Sequence, residues 1–387
     1  MDGLDVVVIG AGIGGLTTAI ALQRLGHRVQ VFDQVRALRP IGAGLSLWPN
    51  GVKVLNLLGL GDTIDRLTGH MARMAYRDQL GETLCDFELA PLVERAGQRP
   101  GPIARAALQQ LLMDEAGPQH VQLGRRCTGV REHDDGITAT FDDGTEVVAD
   151  LVVAADGTHS KLRAHVLGRT VGRDYVGYVN LNGTVSAEPP IVPLGTWTIF
   201  VGEGKRASLM PIGPDRQYFF FDIPLPADQL DDDRDVRTQL RSHFGAWAPE
   251  VHELIDRLDP ADVARIPIHD HEPLDRMARG RVALLGDAAH ATAPDLGQGA
   301  CQAMEDAMVL ARYLTTTRLG VVDALARYSA ERTPHTADIM RRARQRARLT
   351  HNADPVATAA WYDELKAETG EHILEGLAKS VVGGPWR

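Results

Sequence analysis

The sequence predicts an α/β fold in which a parallel-sheet, nucleotide-binding domain is interleaved with a strand-rich, mixed-sheet domain and followed by helices. Three observations predict it. A strand-like run near the N-terminus ends in a glycine turn and returns through a helix to a second strand. Residues 173–275 are dense in strand-like runs. A strand–turn–long-helix pattern comes back at 281–316 and leads into a helical tail.

The first element, 6–9, is Val-Val-Val-Ile and runs into Gly10-Ala11-Gly12-Ile13-Gly14-Gly15. A helical stretch follows over 17–25, then an apolar run over 29–32 that ends at Asp33. Gly10 permits the tight turn, Gly12 lets backbone approach a pyrophosphate, and Gly15 lets helix and strand pack closely. The N–H groups of the helix start meet the phosphate charge. An acid about 20 residues after the glycines accepts hydrogen bonds from a ribose. This layout predicts a Rossmann-like dinucleotide site on Gly10, Gly12, Gly14, Gly15 and Asp33.

Farther along, 71–77 and 83–87 read as strands with Gly81 at the turn, and 103–115 has helical spacing. Strands over 127–132, 137–141 and 146–148 are separated by Asp135-Gly136 and Asp143-Gly144, both hairpin signals. An apolar strand over 151–155 ends at Asp156-Gly157. The insert reads as strands at 175–185, 197–201, 207–212 and 218–223, then helices near 236–244 and 251–258. The tail is helical from 323. No Pro/Ser linker separates these parts, so the domains are expected to pack tightly. The expected division is 1–70, 101–172 and 276–345 for the nucleotide domain, 71–100 and 173–275 for the substrate domain, and 346–387 for a helical tail.

With 387 residues, 44% of them hydrophobic, the chain can bury a large core. A net charge of −10 repels phosphate, so no nucleic-acid partner is expected. No segment offers 18 uninterrupted apolar residues, so no membrane span is expected. The N-terminal apolar run lacks a basic flank and reads as strand rather than signal peptide. Cys85, Cys127 and Cys301 are scattered without a C-x-x-C pair, which points to a reducing, cytoplasmic setting. His269-x-His271 has no third ligand pattern, so no metal is expected.

Two further motifs carry chemistry. Leu151-Val152-Val153-Ala154-Ala155-Asp156-Gly157 leads a strand into a Ser160-x-x-Arg163 helix start. Val282-Ala283-Leu284-Leu285-Gly286-Asp287 delivers Asp287 to the mouth of the sheet, where an acid can bind a ribityl chain. Gly297-Gln298-Gly299 then opens a helix through Arg312, whose positive end suits the negative charge of a reduced flavin ring.

In this order the three motifs resemble the FAD-dependent aromatic hydroxylases, the single-component flavoprotein monooxygenases, over nearly the whole chain. The resemblance implies a non-covalent FAD, with NADH or NADPH as transient co-substrate and O2 as oxidant. It places Arg105, Ser46, Cys127, Asp156 and Asp287 at the cofactor, Cys127 through its backbone, with Gly297, Gln298 and Gly299 beside the flavin ring. Trp48-Pro49-Asn50-Gly51, Phe200-Val201-Gly202-Glu203-Gly204-Lys205-Arg206, Tyr218-Phe219-Phe220-Phe221-Asp222, Pro294-Asp295 and Trp361-Tyr362-x-Glu364-Leu365 are similar to the bacterial FAD-dependent urate hydroxylases. That likeness implies hydroxylation of urate to 5-hydroxyisourate through a C4a-hydroperoxyflavin. Leu181, Ala291 and Ala293 depart from it, since an aromatic residue and two hydroxyl residues are expected there.

Urate is a flat monoanion, so its pocket wants a fixed cation, a planar shelf and amide or hydroxyl partners. Arg206 is the expected cation. Tyr218, Phe219 and Phe220 are the expected shelf and hydroxyl, and Asn180 the donor–acceptor. Asp295 is expected to take a proton from urate or to bond a ring N–H. Arg206, Asp295 and Tyr218 are the expected catalytic set. The competing readings are a hydroxylase of a salicylate-like phenolic acid, whose carboxylate Arg206 would serve equally well, and a flavoprotein reductase, oxidase or redox switch. The chain is expected as a monomer or homodimer.

Overall fold

Val6, Val7, Val8 and Ile9 are all buried, as a strand covered on both faces requires. Their strand, Asp5–Ile9, lies inside a six-stranded sheet, parallel to Arg28–Asp33 on one side and Leu151–Ala154 on the other. The structure is a computed structural model and describes residues 3–38, 43–213, 215–230, 234–315, 320–351 and 353–382. The sheet continues through Val121–Leu123 at one edge, and through Val282–Leu284 and Ala278–Arg279 at the other. Helix Ile13–Arg24 packs against helices Arg105–Ala116 and Gly299–Leu314. A three-stranded antiparallel sheet, Cys127–Glu132, Ile137–Phe141 and Glu146–Ala149, packs through Phe141 on Phe32, ring centroids 4.5 Å apart.

The first helix begins at Ile13, earlier than its helical spacing predicts. Gly14 and Gly15 are poor helix formers, but close packing overrides propensity here. A Cβ on Gly15 would lie 1.9 Å from the Gly10 carbonyl oxygen, and one on Gly10 2.1 Å from that of Ala155. Gly10 also has φ +111°, which only glycine adopts readily. Gly10 and Gly15 are therefore needed by the turn itself.

A second, seven-stranded sheet runs in the order Ala264–Asp270, Asp174–Ser186, Arg216–Pro224, Lys205–Pro211, Thr196–Gly202, Arg73–Asp78, Thr83–Glu88. It is antiparallel except where Thr196–Gly202 pairs parallel with Arg73–Asp78. Ala264–Asp270 escaped the sequence reading because Pro267 lowers its strand signal. It is an edge strand, where a proline is tolerated. Helices Val236–Phe244 and Pro249–Arg257 cover the outer face, burying Phe219, Phe221, Leu181 and Leu209 against Phe244, Leu254 and Ile255. The inner face turns towards the first sheet. Strand alternation puts Arg206, Tyr218, Phe220, Asp222, Asn180 and Asn182 there.

Helices Val321–Thr350, Pro355–Ala367 and Glu371–Val381 close the chain. Residues 341–348 hold five arginines in eight residues. The helix disperses that charge around its axis. Arg344 pairs with Asp270 and Glu272, and Arg342 bonds Gly376 O and Ser380 Oγ. Among the described residues no helix is long and apolar enough to cross a membrane.

Candidate active site

A cavity of about 380 Å³ lies between the two sheets. One wall is backbone: Gly12, Gly14 and Gly15 at the first turn, Gly286 and Asp287 after the Val282–Leu284 strand, and Gly297, Gln298 and Gly299 at the next helix start. The other wall is side chain: Asn180, Arg206, Tyr218, Phe220 and Trp197.

The backbone wall fits FAD. A Cβ on Gly12 or Gly157 would meet nothing within 4 Å, so both leave open space for a ligand. The helices starting at Ile13 and Gly299 have no side-chain cap and no acidic residue in the first turn. Their free N–H groups suit a pyrophosphate and an electron-rich ring edge. Asp287 is exposed in the cavity wall, and Arg105 lines it as well. Ser46 also lines it, its hydroxyl 3.6 Å from Met210 Sδ.

A buried polar network holds this wall in place. Asp306 Oδ2 accepts from the Gly286 N–H at 3.0 Å and bonds His290 Nε2 at 2.7 Å. Its Oδ1 accepts from Arg332 Nε at 2.6 Å. Arg332 Nη1 donates to Glu305 Oε2 at 3.0 Å and Nη2 to Gln302 Oε1 at 2.7 Å. Asn50 Nδ2 bridges Glu305 and Gln298. His290 is thus a structural neighbour of the turn.

Four expected cofactor residues do not line this cavity. Gly10 forms the turn. Asp33 Oδ2 accepts from the Ala11 N–H at 2.7 Å and Oδ1 from Val35 N at 2.9 Å, which fixes the carboxylate beside the glycine loop. Asp156 Oδ2 accepts from Lys161 N at 3.0 Å, while its buried Oδ1 has no protein partner. Burial pushes the Cys127 thiol up to about 11, so this side chain is core.

The side-chain wall follows from register. Asn180 pairs with Asp222, and Asp222 with Arg206, so the three stand side by side across adjacent strands. Asn182 Oδ1 accepts from the Ala43 N–H at 2.9 Å, and its Nδ2 donates to Asn180 Oδ1 at 2.8 Å. Asn180 Nδ2 donates to Asp222 Oδ1 at 2.7 Å, and Arg206 Nε to Asp222 Oδ2 at 2.8 Å. Arg206 Nη2 reaches Asp295 Oδ1 at 3.0 Å. Nη1 has no protein partner among the described residues, and Arg206 lines the cavity. Its Cζ lies 5.4 Å from the Phe220 ring centroid.

Three expectations are corrected here. Phe219 faces the outer helices, since its neighbours Tyr218 and Phe220 take the cavity side. Arg206 brings no net positive charge, because two buried carboxylates, Asp222 and Asp295, pair with it. It offers directed N–H donors instead. Asp295 is poorly suited to take a proton. Burial opposes its ionisation, but Arg206 and the bonds from His351 and Tyr178 outweigh burial and hold the carboxyl well below its usual range. Tyr178 Oη donates to Asp295 Oδ2 at 2.6 Å. Burial pushes the Tyr218 phenol well up, so it stays an O–H donor facing the cavity. Leu181, Ala291 and Ala293 are buried away from the cavity, so the departures there do not touch its lining.

The sequence reading missed Asp222, Tyr178, His351 and Trp197 as site residues. Asp222 was within reach, since the alternation that pairs Tyr218 with Phe220 also selects it. His351 had no local signal. It stacks on Tyr178 at 3.8 Å, with Nε2 3.2 Å from Asp295 Oδ1 and Nδ1 3.2 Å from Gly204 O. Both ring nitrogens face acceptors, so both bonds form together only in the doubly protonated ring.

If Asp287 holds the ribityl chain, Asp287→Ala should weaken FAD binding by roughly 10- to 150-fold, the equivalent of 1.5–3 kcal/mol for a bond to a charged group. Titration of apoprotein with FAD, read by flavin fluorescence, checks this. An unchanged affinity would contradict it.

Residues 3–343 match the family model described as FAD binding domain. The chain is 49% identical over 383 residues to the FAD-dependent urate hydroxylase of Klebsiella pneumoniae, covering 99% of this chain and all of the relative. It is 46% identical over 385 residues to that of Mycolicibacterium vanbaalenii, covering 99% and 98%. The crystal structure of Klebsiella pneumoniae HpxO complexed with FAD and uric acid superposes with a TM-score of 0.96 at 48% identity, over 100% of this chain and 99% of that one. A salicylate hydroxylase substrate complex, at 23% identity and a TM-score of 0.80 over 99% of both chains, shares the fold.

Proposed function

From the premise that this chain belongs to the FAD-dependent aromatic hydroxylase family, we propose that it is an FAD-dependent monooxygenase that hydroxylates urate. Urate, O2, NAD(P)H and a proton give 5-hydroxyisourate, NAD(P)+ and water. The observation that carries the reading is the Asn180–Asp222–Arg206 row, with its free Nη1, facing the Gly297–Gly299 helix start across one cavity. Full-length similarity to urate hydroxylases supports it.

In this reading Gly12, Gly14 and Gly15 hold the FAD pyrophosphate, Asp33 the ribose and Asp287 the ribityl chain. Bound FAD supplies the passage of two electrons from NAD(P)H to O2 that makes one oxygen atom available for insertion. The protein positions urate to receive it. Arg206 Nη1 donates to an electron-rich edge of the anion, and the Tyr218 O–H donates to a second. Phe220 and Trp197 give planar contact, and Asn180 sets the rotation. Asp222 and Asp295 keep the guanidinium plane from turning. Asp295 acts as the anchor of Arg206 rather than as a base. A cytoplasmic location is part of the proposal, supported by three buried free cysteines.

The test is oxidation of NADH and NADPH by the FAD-loaded protein with urate and with salicylate-like phenols. Urate should stimulate oxidation and be consumed in near-equal amount, with little peroxide released. Stimulation by phenols alone would favour the phenolic reading. Oxidation indifferent to every substrate would favour a reductase or oxidase.

A further inference from the structure

A second cavity of about 330 Å³ lies behind the first. Trp197 and Asp295 line both, so they form a shared wall. From there the chamber runs between the seven-stranded sheet and the three C-terminal helices to a mouth at Glu364 and His372, both exposed. Its deep part is aromatic, with Trp48, Tyr76 and Trp361, the last two edge to face at 6.4 Å. Nothing in the reaction described above uses this space.

The chamber holds one uncommitted cation. Arg346 is half-buried, and its Cζ sits 4.3 Å over the Trp361 ring. It has no hydrogen-bond or carboxylate partner among the described residues. Its neighbour one turn earlier, Arg342, is committed to Gly376 O at 2.8 Å and Ser380 Oγ at 3.0 Å. Glu364 and Glu368 share the lining without pairing with Arg346. A planar guanidinium stacked on an indole presents a flat donor edge beside a flat apolar shelf. That pairing selects a planar heteroaromatic anion of single charge. A dinucleotide is disfavoured, because its phosphates would meet three carboxylates, Asp295, Glu364 and Glu368, and only one free cation among the described residues.

We propose that this chamber is a second binding site for a planar purine anion of the urate class, held by Arg346 over Trp361. It is an anteroom separated from the reacting cavity by Trp197 and Asp295. The proposal rests on urate as substrate.

Equilibrium dialysis of the FAD-loaded protein against radiolabelled urate, without nicotinamide, tests it. Wild type should bind a second equivalent per chain beyond the one at the flavin cavity. Arg346→Met, which keeps the apolar stem on Trp361, should weaken that second equivalent about tenfold or more. Arg346→Lys should fall between. Arg341→Met, on the exposed face of the same helix, should leave it intact and so controls for general charge. Saturation at a single equivalent would overturn the proposal and leave the substrate reading standing. So would a second equivalent indifferent to Arg346→Met, or one displaced by NAD(P)H. No binding at all, with no urate-stimulated NAD(P)H oxidation in wild type, would overturn the substrate reading and this proposal with it.

Discussion

Arg206→Met is expected to lower kcat/KM for urate by about 100-fold or more while the protein still takes up FAD. The guanidinium is held on two sides by Asp222 and Asp295, which leaves Nη1 as its free edge in the cavity. Misplacing a substrate by about 1 Å can cost on the order of 100-fold in rate. Methionine keeps the volume and removes every donor. It also leaves two buried carboxylates without their shared cation, a change that costs about 3–5 kcal/mol when such a pair is broken. Arg206→Lys separates the two effects. A lysine keeps the charge between the carboxylates, so most of the fold stability should return. It has no planar fork, so it cannot bond both aspartates and still face the substrate. Its expected signature is uncoupling: urate-stimulated NAD(P)H oxidation persists, peroxide release rises and urate loss falls. Measuring all three quantities for wild type and both variants checks this. Normal coupling and normal urate KM in Arg206→Lys would show that planarity is irrelevant and that only charge matters.

Arg332→Met is expected to cost the largest stability of any single arginine outside the substrate wall, about 3–5 kcal/mol. Its side chain is 2% exposed and pairs with Glu305 and Asp306, which are 1% and 0% exposed. Removing it strands two carboxylates in the interior. Because Asp306 also holds the Gly286 N–H, and Asn50 ties Glu305 to Gln298, FAD affinity should fall with stability. Glu305→Gln should be milder, since an amide still accepts from Arg332 and leaves one carboxylate for one arginine. Arg28→Met, which disrupts an ion pair whose partners are 63% and 52% exposed, should cost no more than about 1 kcal/mol. Thermal unfolding of the apo and FAD-loaded forms compares the three. A loss for Arg332→Met no greater than for Arg28→Met would mean that the interior tolerates the two carboxylates, against the packing described above.

The two halves of the site differ in how far a linear reading reached. Around the cofactor the chemistry is carried by backbone, and the residues that allow it are neighbours in the chain. Gly10, Gly12 and Gly15 lie within six positions; Gly10 and Gly15 are required by contacts to their own turn and the adjacent strand, while Gly12 leaves open space beside them. The Asp287 turn and the Gly297–Gly299 helix start are likewise local features, so their motifs were legible. The alternation of the Tyr218 strand was legible as well, and it already implied that Phe219 would face away.

What the sequence by itself determined is therefore the α/β order of elements, the glycine turn that receives a dinucleotide, and the residue types available for a planar anion. The tertiary structure alone decided what those types do. Arg206 meets Asp222 only through strand register and meets Asp295 across 89 residues, while His351 reaches Asp295 from the end of the Val321–Thr350 helix. Among the described residues Arg346 is left a free cation, while Arg342 and Arg344, close by on the same helix, are taken up elsewhere. The reason is that charge is settled by distance in a low-dielectric interior, where a carboxylate at 3 Å outweighs everything the chain places nearby in order. A composition or a motif names the ions. Only the fold determines which of them are already paired.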